Sequence, residues 1–177
     1  MDKAPSSSSD LAFSLGIDVG KEALEIALRG SEDAFTKTTV ANDSDGHKEL
    51  LRWLSGQGAG PEKTSVCMEA SGDFEKAVAQ RLYEEEYRVS VVNPRRIKGY
   101  ASSQLQRTKT DSADAALIAR FGRREDPRPW EPPSAAESRL QELTRARQAL
   151  KKEKTRAQNR LDEADDEAVR RAHRGLL

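Results

Sequence analysis

The sequence predicts an α/β protein: a mixed sheet, made of an antiparallel three-strand meander plus parallel strands, flanked by helices and followed by one long helix of the coiled-coil type. Three short apolar or β-branched segments follow one another between residues 11 and 42. Later apolar runs alternate with helical patterns, which favours parallel strands with helices on their faces. Residues 134–174 contain neither proline nor glycine and are rich in good helix formers, so they predict the long helix.

The elements of the sheet are predicted in the order βββαβαβα. The first three strands lie in the segments LAFSLGIDVG, KEALEIALRG and AFTKTTVAN. A helix is predicted over 45–57, with Asp45 as its N-cap and Trp53 packing it on the sheet. The buried strand TSVCMEAS, a helix over about 73–87 and the strand RVSVV, which stops before Pro94, follow. The last helix carries Ala115, Leu117, Ile118 and Phe121 toward the core.

Composition divides the chain into four parts. Residues 1–10 are small and polar and are predicted to be disordered, and residues 11–125 form the folded domain. The proline-rich stretch 126–133 is predicted to be a linker, and residues 134–177 the long helix. Leucines on this helix follow a heptad that Arg147 and Lys154 interrupt, so the pattern predicts a weak coiled coil or helix hairpin that joins subunits. A single solvated helix is the alternative.

Overall composition narrows the class of protein. Hydrophobic residues make up 36% and charged residues 34%, and the net charge is zero. A single cysteine excludes an internal disulfide and a cysteine-based zinc site. Because the sequence shows neither a membrane span nor a signal peptide, we expect a cytoplasmic protein without a membrane partner. Any attraction to nucleic acid must then come from a local excess of Lys and Arg, which begins after Pro94.

Four acidic residues occupy strand ends or the start of a helix in the predicted elements. Asp18 lies at the end of the first strand and Glu69 at the end of the apolar strand TSVCME. Asp111 and Asp114 are spaced to share one face at the start of the last helix. Each acid alone also fits an ordinary role: a turn aspartate beside glycine, a solvated strand end, or acids favoured by the helix dipole. If the two strands are neighbours, however, all four carboxylates point to one place.

Four carboxylates at one place require a cation. Their mutual repulsion is relieved most simply by one or two divalent ions that prefer oxygen ligands, Mg²⁺ or Mn²⁺. Two such ions about 4 Å apart activate a nucleophile and stabilise the leaving oxygen in phosphodiester chemistry. The acids therefore predict a metal centre for reactions on nucleic acid.

Particular motifs add a family resemblance. A strand aspartate in GIDVGK, a strand-end glutamate with a small-residue turn in CMEASG, and then VVNP and KTDSAD follow one another. Together these motifs, over about residues 11–124, resemble the amino-terminal domain of the DEDD transposases of the insertion sequence 110 family. The later segment LQELTRARQALKKEKTRAQNRL resembles the linker helix of that family.

The resemblance implies a ribonuclease H-like fold, similar to that of Holliday-junction resolvases, whose catalytic and metal-binding residues are Asp18, Glu69, Asp111 and Asp114. It also implies DNA cleavage and strand exchange during transposition, with DNA and a guide RNA as partners. Family members carry a second domain with a nucleophilic serine, and its motif does not occur in this sequence. We therefore expect an incomplete part of such a transposase, dimeric through its C-terminal helix and able to form a tetramer in the full-length protein.

Basic residues in two segments are predicted to bind nucleic acid. Those of the first segment directly precede the acidic pair, where a phosphate backbone passes on its way to the metals, and those of the second lie on the long helix. The predicted set is Arg95, Arg96, Lys98, Arg107, Lys109, Arg147, Lys151, Lys154 and Arg156. Solvated basic surface is the alternative for both segments. His47 and His173 are predicted to be surface residues.

Two other functions remain open from the sequence. An aspartate followed by glycine after a first strand also opens the actin-like fold of sugar kinases and ATPases, although the chain is short for an adenosine site. The other function is that of a non-catalytic module that binds nucleic acid and dimerises, in which the acids only tune the fold. A nuclease of the Holliday-junction type, which uses the same acids, is an alternative to the transposase.

Overall fold

The computed structural model describes residues 11–30, 34–103 and 111–163, with side chains for all of these except 111–114. The strands are β1 (Phe13–Val19), β2 (Ala23–Arg29), β3 (Phe35–Ala41), β4 (Thr64–Glu69) and β5 (Arg88–Val92). The helices are α1 (Ser44–Gly56), α2 (Lys76–Glu84), α3 (Pro94–Ser103), α4 (Asp111–Glu125) and α5 (Ala135–Glu163), with a short 3₁₀ turn at Pro61–Lys63. Among the described helices, none has the length and apolar character needed to cross a bilayer.

The described strands form one five-stranded sheet in the order β3-β2-β1-β4-β5. β2 pairs antiparallel with both β1 and β3, whereas β4 pairs in parallel with β1 and β5. Parallel neighbours need a crossover connection, which α2 provides between β4 and β5. The sheet confirms the predicted fold class, an antiparallel meander extended by parallel strands and flanked by helices.

One face of the sheet carries the larger apolar core, and we call it the apolar face. From β1, Leu15 and Ile17 are fully buried there. α1 and α2 cover this face with side chains that include Leu50, Leu54 and Val78. Burial of one such side chain contributes roughly 1.5–3 kcal/mol relative to its exposure. Large interlocking side chains therefore hold the first two helices on the sheet.

The opposite face approaches its helix much more closely, and we call it the α4 face. A Cβ atom added to Gly16 would collide with the Ala115 carbonyl oxygen and with the backbone nitrogen of Ala119. The Ser14 hydroxyl donates to the Ala119 carbonyl at 2.8 Å. Helix α4 therefore lies directly on β1 because small residues occupy the contact on both sides.

The start of α1 differs from the prediction. Asp43, not Asp45, is the N-cap: its Oδ1 accepts from the backbone nitrogens of Asp45 at 3.0 Å and Gly46 at 2.8 Å. Asp43 has an extended backbone, with φ −142°, which aims its side chain at the free N–H groups of the first turn. The predicted cap was wrong because Asp45 already belongs to that turn.

Two further helices differ from the predicted elements. α2 is shorter than the predicted 73–87 at both ends: residues 72–75 form turns before it, and Glu86, at φ +64°, lies outside the helix after it. α3 was not predicted at all. Asn93 starts it by accepting from the backbone nitrogen of Arg95 at 2.9 Å, and Pro94 occupies the first helical position.

Part of the predicted linker 126–133 is attached to β5. The Trp130 backbone nitrogen donates to the Val89 carbonyl at 2.7 Å. The Ser90 hydroxyl donates to the Pro127 carbonyl at 3.0 Å. The first half of this proline-rich stretch therefore continues the packed structure of the sheet.

The chain divides into two compact units, Met1–Glu131 and Pro132–Leu177. In the second unit, α5 begins with a capping box: Ser134 Oγ accepts from the Glu137 backbone nitrogen at 3.2 Å, and the Ser134 backbone nitrogen donates to the Glu137 carboxylate at 2.8 Å. α5 then continues without interruption to Glu163. A long helix is thus present where one was predicted, and the predicted continuation over 164–177 lies outside the described residues.

Candidate metal centre and nucleic-acid surface

Asp18 and Glu69 lie at matching positions on two adjacent parallel strands. The β1–β4 register pairs Gly16 with Cys67, and the two acids follow two residues later on each strand. Residues two apart on a strand share a face, and a Cβ at Gly122 of α4 would lie 2.6 Å from the Cys67 Cβ. Both acids therefore belong to the α4 face, on strands about 4.8 Å apart. Both are half-buried.

Helix α4 runs antiparallel to β1, with its first turn toward the acidic end of the strand. Ala115, early in α4, lies over Gly16. Arg123, near the end of the helix, donates from Nη1 to the carbonyl of Leu11, ahead of β1, at 2.7 Å. The helix therefore begins near the carboxyl end of β1 and ends near its amino end.

The first turn of α4 contains the other two predicted acids. Asp111 begins the helix and Asp114 directly precedes Ala115. Four residues of helix correspond to about 6 Å along the axis. Asp18 lies about 6.6 Å beyond Gly16, since two strand residues extend the chain by that amount. The first turn of α4 and Asp18 thus extend past the Gly16–Ala115 contact by similar distances.

The structure brings two of the four predicted ligands side by side. Among the residues with described side chains, no group of three or more His, Cys, Asp or Glu is placed to hold a metal ion. The side chains of Asp111 and Asp114 lie outside that set, so the meeting of all four carboxylates remains a prediction. The side chains of Asp18 and Glu69 are suitable ligands for a divalent cation, since Mg²⁺ and Mn²⁺ prefer carboxylate oxygens.

The first predicted basic segment forms the outer side of α3. Arg95, Arg96 and Lys98 are exposed, while Ile97 between them is buried against β4, β5 and α4. α3 starts two residues after Val92, which is the register partner of Glu69. The basic side chains therefore begin at the carboxyl ends of the parallel strands, where the acids also lie.

Aromatic rings contact several arginines of α3 and α4, which together form a wider basic surface. The guanidinium of Arg96 lies 5.5 Å from the centre of the Phe121 ring, and that of Arg124 lies 6.0 Å from the Tyr100 ring. Arg120 lies 5.0 Å from the ring of Phe35. Arg120 and Arg124 were not among the basic residues predicted to bind nucleic acid, although their i, i+4 spacing on α4 indicates a shared helix face.

The other predicted basic residues are exposed or lie outside the description. Arg107 and Lys109 belong to residues 104–110, which the structure does not describe. The four on α5 are all exposed, namely Arg147, Lys151, Lys154 and Arg156. Exposure is compatible with binding to phosphate and equally with a solvated helix.

Two buried residues on either side of the sheet have altered pKa values. Burial raises the pKa of the Cys67 thiol to about 12, so the thiol stays protonated at neutral pH. His47 is 6% exposed and contacts Asn42 Oδ1 through Nε2 at 3.0 Å. Burial lowers the pKa of His47. The predicted surface position of His47 is therefore wrong, because α1 turns this residue inward; His173 lies outside the described residues.

Curated proteins and a solved structure match this chain to different degrees. Pilin gene-inverting proteins of Moraxella bovis and Moraxella lacunata are each 33% identical to it over 146 residues, which is 80% of this chain and 45% of the relative. The chain thus spans less than half the length of these relatives. The structure of T. thermophilus RuvC in complex with a Holliday junction substrate matches with a TM-score of 0.49 at 15% identity, covering 67% of this chain and 99% of that one.

A family model extends the comparison over most of the chain. The model of the DEDD transposases of insertion sequence 110, described as a transposase, matches residues 15–168. The match includes the sheet except the first two residues of β1, all four predicted acids and the described part of α5. The chain belongs to this transposase family.

Proposed function

We propose that this chain forms the metal-dependent centre with which a transposase cleaves DNA and exchanges its strands. The observation that carries the proposal is the matching placement of Asp18 and Glu69 on neighbouring parallel strands, at the end of the sheet toward which the first turn of α4 extends. Asp111 and Asp114 begin that helix. This arrangement supports a centre of four carboxylates, and the family supports its use on DNA.

The proposed ligands are Asp18, Glu69, Asp111 and Asp114, and the proposed cation is Mg²⁺ or Mn²⁺. When bound, such a cation makes water or a hydroxyl a better nucleophile and neutralises charge on the leaving oxygen. The two strand acids sit on rigid backbone, so they fix the position of the cation relative to the sheet. We propose that Asp111 and Asp114, on the first turn of α4, complete the set of ligands.

The proposed DNA path follows the basic side of α3 and α4. Arg95, Arg96 and Lys98 are exposed near the strand ends that carry the acids, and Arg124 extends this basic surface along α4. Contacts of this kind bind phosphates irrespective of sequence and weaken as salt rises. Arg107 and Lys109 belong to the same proposed path, and the basic residues of α5 are proposed to bind a guide RNA or DNA.

Subunit pairing through α5 is part of the proposal. Leu140, Leu143 and Leu150 are 65%, 60% and 65% exposed, and their spacing follows a heptad. Large exposed leucines in such a row favour burial against a second copy. We propose a dimer through this helix, a tetramer for the full-length protein, and the cytoplasm as its compartment, since its proposed substrate is bacterial DNA.

The relatives suggest what the whole protein does. Their name, pilin gene-inverting protein, refers to the inversion of a gene, which is a rearrangement of DNA. Because this chain spans 45% of their length, we propose that complete strand exchange also needs the family's second domain with its nucleophilic serine. This chain then supplies the metal centre and part of the DNA-binding surface.

Titration with Mn²⁺ tests the centre. We expect the chain to bind Mn²⁺, and Asp18→Asn and Asp111→Asn each to abolish measurable binding, because each removes a charged ligand. Glu49→Gln is the matched control, since Glu49 is an exposed acid on α1, which covers the apolar face. Unchanged binding in both aspartate variants would remove the proposal.

A non-catalytic module that binds nucleic acid and dimerises is the second candidate. The exposed leucines and cations of α5 favour it, because neither feature needs a metal. Electrophoretic mobility shifts of a branched DNA, with Mg²⁺ and with a chelator, separate the two functions. Metal-stimulated binding that Asp18→Asn eliminates supports the catalytic centre, and binding indifferent to both changes supports the module.

A further inference from the structure

The corner between β3 and α1 joins the two loops that follow the strand acids. The side-chain nitrogen of Asn42 donates to the Gly20 carbonyl at 2.8 Å and to the Phe74 carbonyl at 3.1 Å. Gly20 comes two residues after Asp18, and Phe74 lies in the loop that leaves β4 after Glu69. One amide group therefore bridges the chain segments immediately beyond both acids.

The orientation of the Asn42 amide follows from its partners. Both Gly20 and Phe74 offer carbonyl oxygens, which only accept, so the NH₂ group must face them. The amide oxygen then faces His47 Nε2 at 3.0 Å, and this nitrogen must carry the hydrogen. His47 is 6% exposed, so its donor is satisfied within the protein. The histidine thus holds the asparagine in the one orientation that serves both loops.

Backbone contacts make this corner rigid. The Asn42 backbone nitrogen donates to the Glu22 carbonyl at 2.9 Å, in the β1–β2 connection. A Cβ added to Gly46 would collide with the Ala41 carbonyl oxygen, so α1 begins pressed against the end of β3. The Asn42 side chain therefore projects from a fixed base and not from a flexible loop.

We propose that Asn42 is a positioning residue for the acidic centre and that His47 holds its amide in the productive orientation; this inference rests on the proposed metal centre. By tying the segment after β1 to the segment after β4, Asn42 fixes the ends of the two strands that present Asp18 and Glu69. The spacing of the two carboxylates then depends on a residue that touches neither of them.

Mn²⁺ affinity and stability, measured on the same variants, test the inference. Removal of groups that orient metal ligands typically weakens metal binding about 10-fold to 100-fold. We expect Asn42→Ala to weaken Mn²⁺ binding about 10-fold and His47→Leu to weaken it less. His47→Gln, which keeps a donor near the Nε2 position, restores binding to the wild-type level. Val78→Ala is the control: it removes buried volume on α2, lowers the unfolding midpoint and leaves Mn²⁺ affinity unchanged.

Amide hydrogen exchange tests the bridge without any metal. In Asn42→Ala, the segments 20–22 and 70–75 both exchange faster, while the amides of β1 and β4 keep their protection. If neither segment changes, or if Mn²⁺ affinity merely follows stability as in Val78→Ala, the inference is overturned. If wild type itself binds no Mn²⁺, the proposed function fails; the bridge then stands on the exchange result, and its role at a metal centre is refuted.

Discussion

The two faces of the sheet hold their helices by different means. On the apolar face, large side chains such as Leu15 and Leu54 fill a wide gap between strands and helices. On the α4 face, Gly16 leaves so little room that the helix backbone lies on the strand itself, and a smaller apolar cluster with Ile118 and Phe121 packs beside this contact. The apolar face is thus held by the larger buried volume, and the α4 face by a close backbone fit beside a smaller core.

The contrast explains how one sheet can be both stable and suited to a polar site. On the apolar face, side chains separate the helix backbone from the strands. On the α4 face, the backbone of Ala115 and Ala119 lies directly against Gly16 of β1. A helix held this way has its start directed toward the end of β1 that carries Asp18.

The largest expected effect concerns buried volume on the apolar face. Ile17→Ala removes three carbon atoms from a fully buried side chain, and the lost burial plus the cavity should lower the free energy of unfolding by about 2–5 kcal/mol. Urea denaturation followed by circular dichroism measures it. Glu49→Ala on α1, where Glu49 is exposed, is the control and should change stability by no more than about 0.5 kcal/mol. Equal losses in both variants would contradict the comparison.

The next effect tests close fit on the α4 face. Gly16→Ala adds one methyl group against helix backbone, so we expect a loss of about 1–3 kcal/mol, typical of overpacking. Gly99→Ala on α3 is the matched control, because nothing lies within 4 Å of its added Cβ. That variant should gain up to about 1 kcal/mol from helix propensity. A neutral Gly16→Ala would show that α4 can move away from β1.

The smallest effect is a pH dependence from α1. Burial, the main cause, and the nearby Arg81 lower the pKa of His47 below its usual 6.5, against an opposing effect of Asp43. As pH falls through 6.5, the unfolded chain binds a proton that the folded chain does not, so stability decreases. Unfolding by urea at pH 7.5 and 5.5 should show a larger decrease in wild type than in His47→Gln. The same decrease in both would assign the dependence to other groups.

Most of the fold was predictable, because strands and helices leave local patterns. β1 to β5, α1 and α4 follow apolar periodicity. α3 was missed because Arg95, Arg96 and Lys98 dominate its sequence, even though Asn93 followed by Pro94 is a helix-start signal. Capping and turn residues decide such short helices, and their meaning depends on backbone angles that the sequence does not display.

For the candidate site, the sequence predicted which residues belong to it but not how they are placed relative to one another. Asp18 and Glu69 could be assigned to strand ends, but their matching positions depend on the β1–β4 register, which non-local packing determines. Asn42 carried no sequence signal, since its partners lie 22 and 32 residues away. His47 was misjudged because helical periodicity of apolar residues does not predict a buried polar side chain.

The segment after α4 has a consequence for β5, which is an edge strand of the sheet. Unpaired edge strands recruit strands from other molecules and promote aggregation. Here Asp126 forms an ion pair with Arg88 at 2.7 Å, and Trp130 packs its ring edge-on against Tyr83 at 5.9 Å. A protein shortened to end with α4 would expose the edge of β5. The smallest fragment that resists aggregation should therefore extend through Trp130.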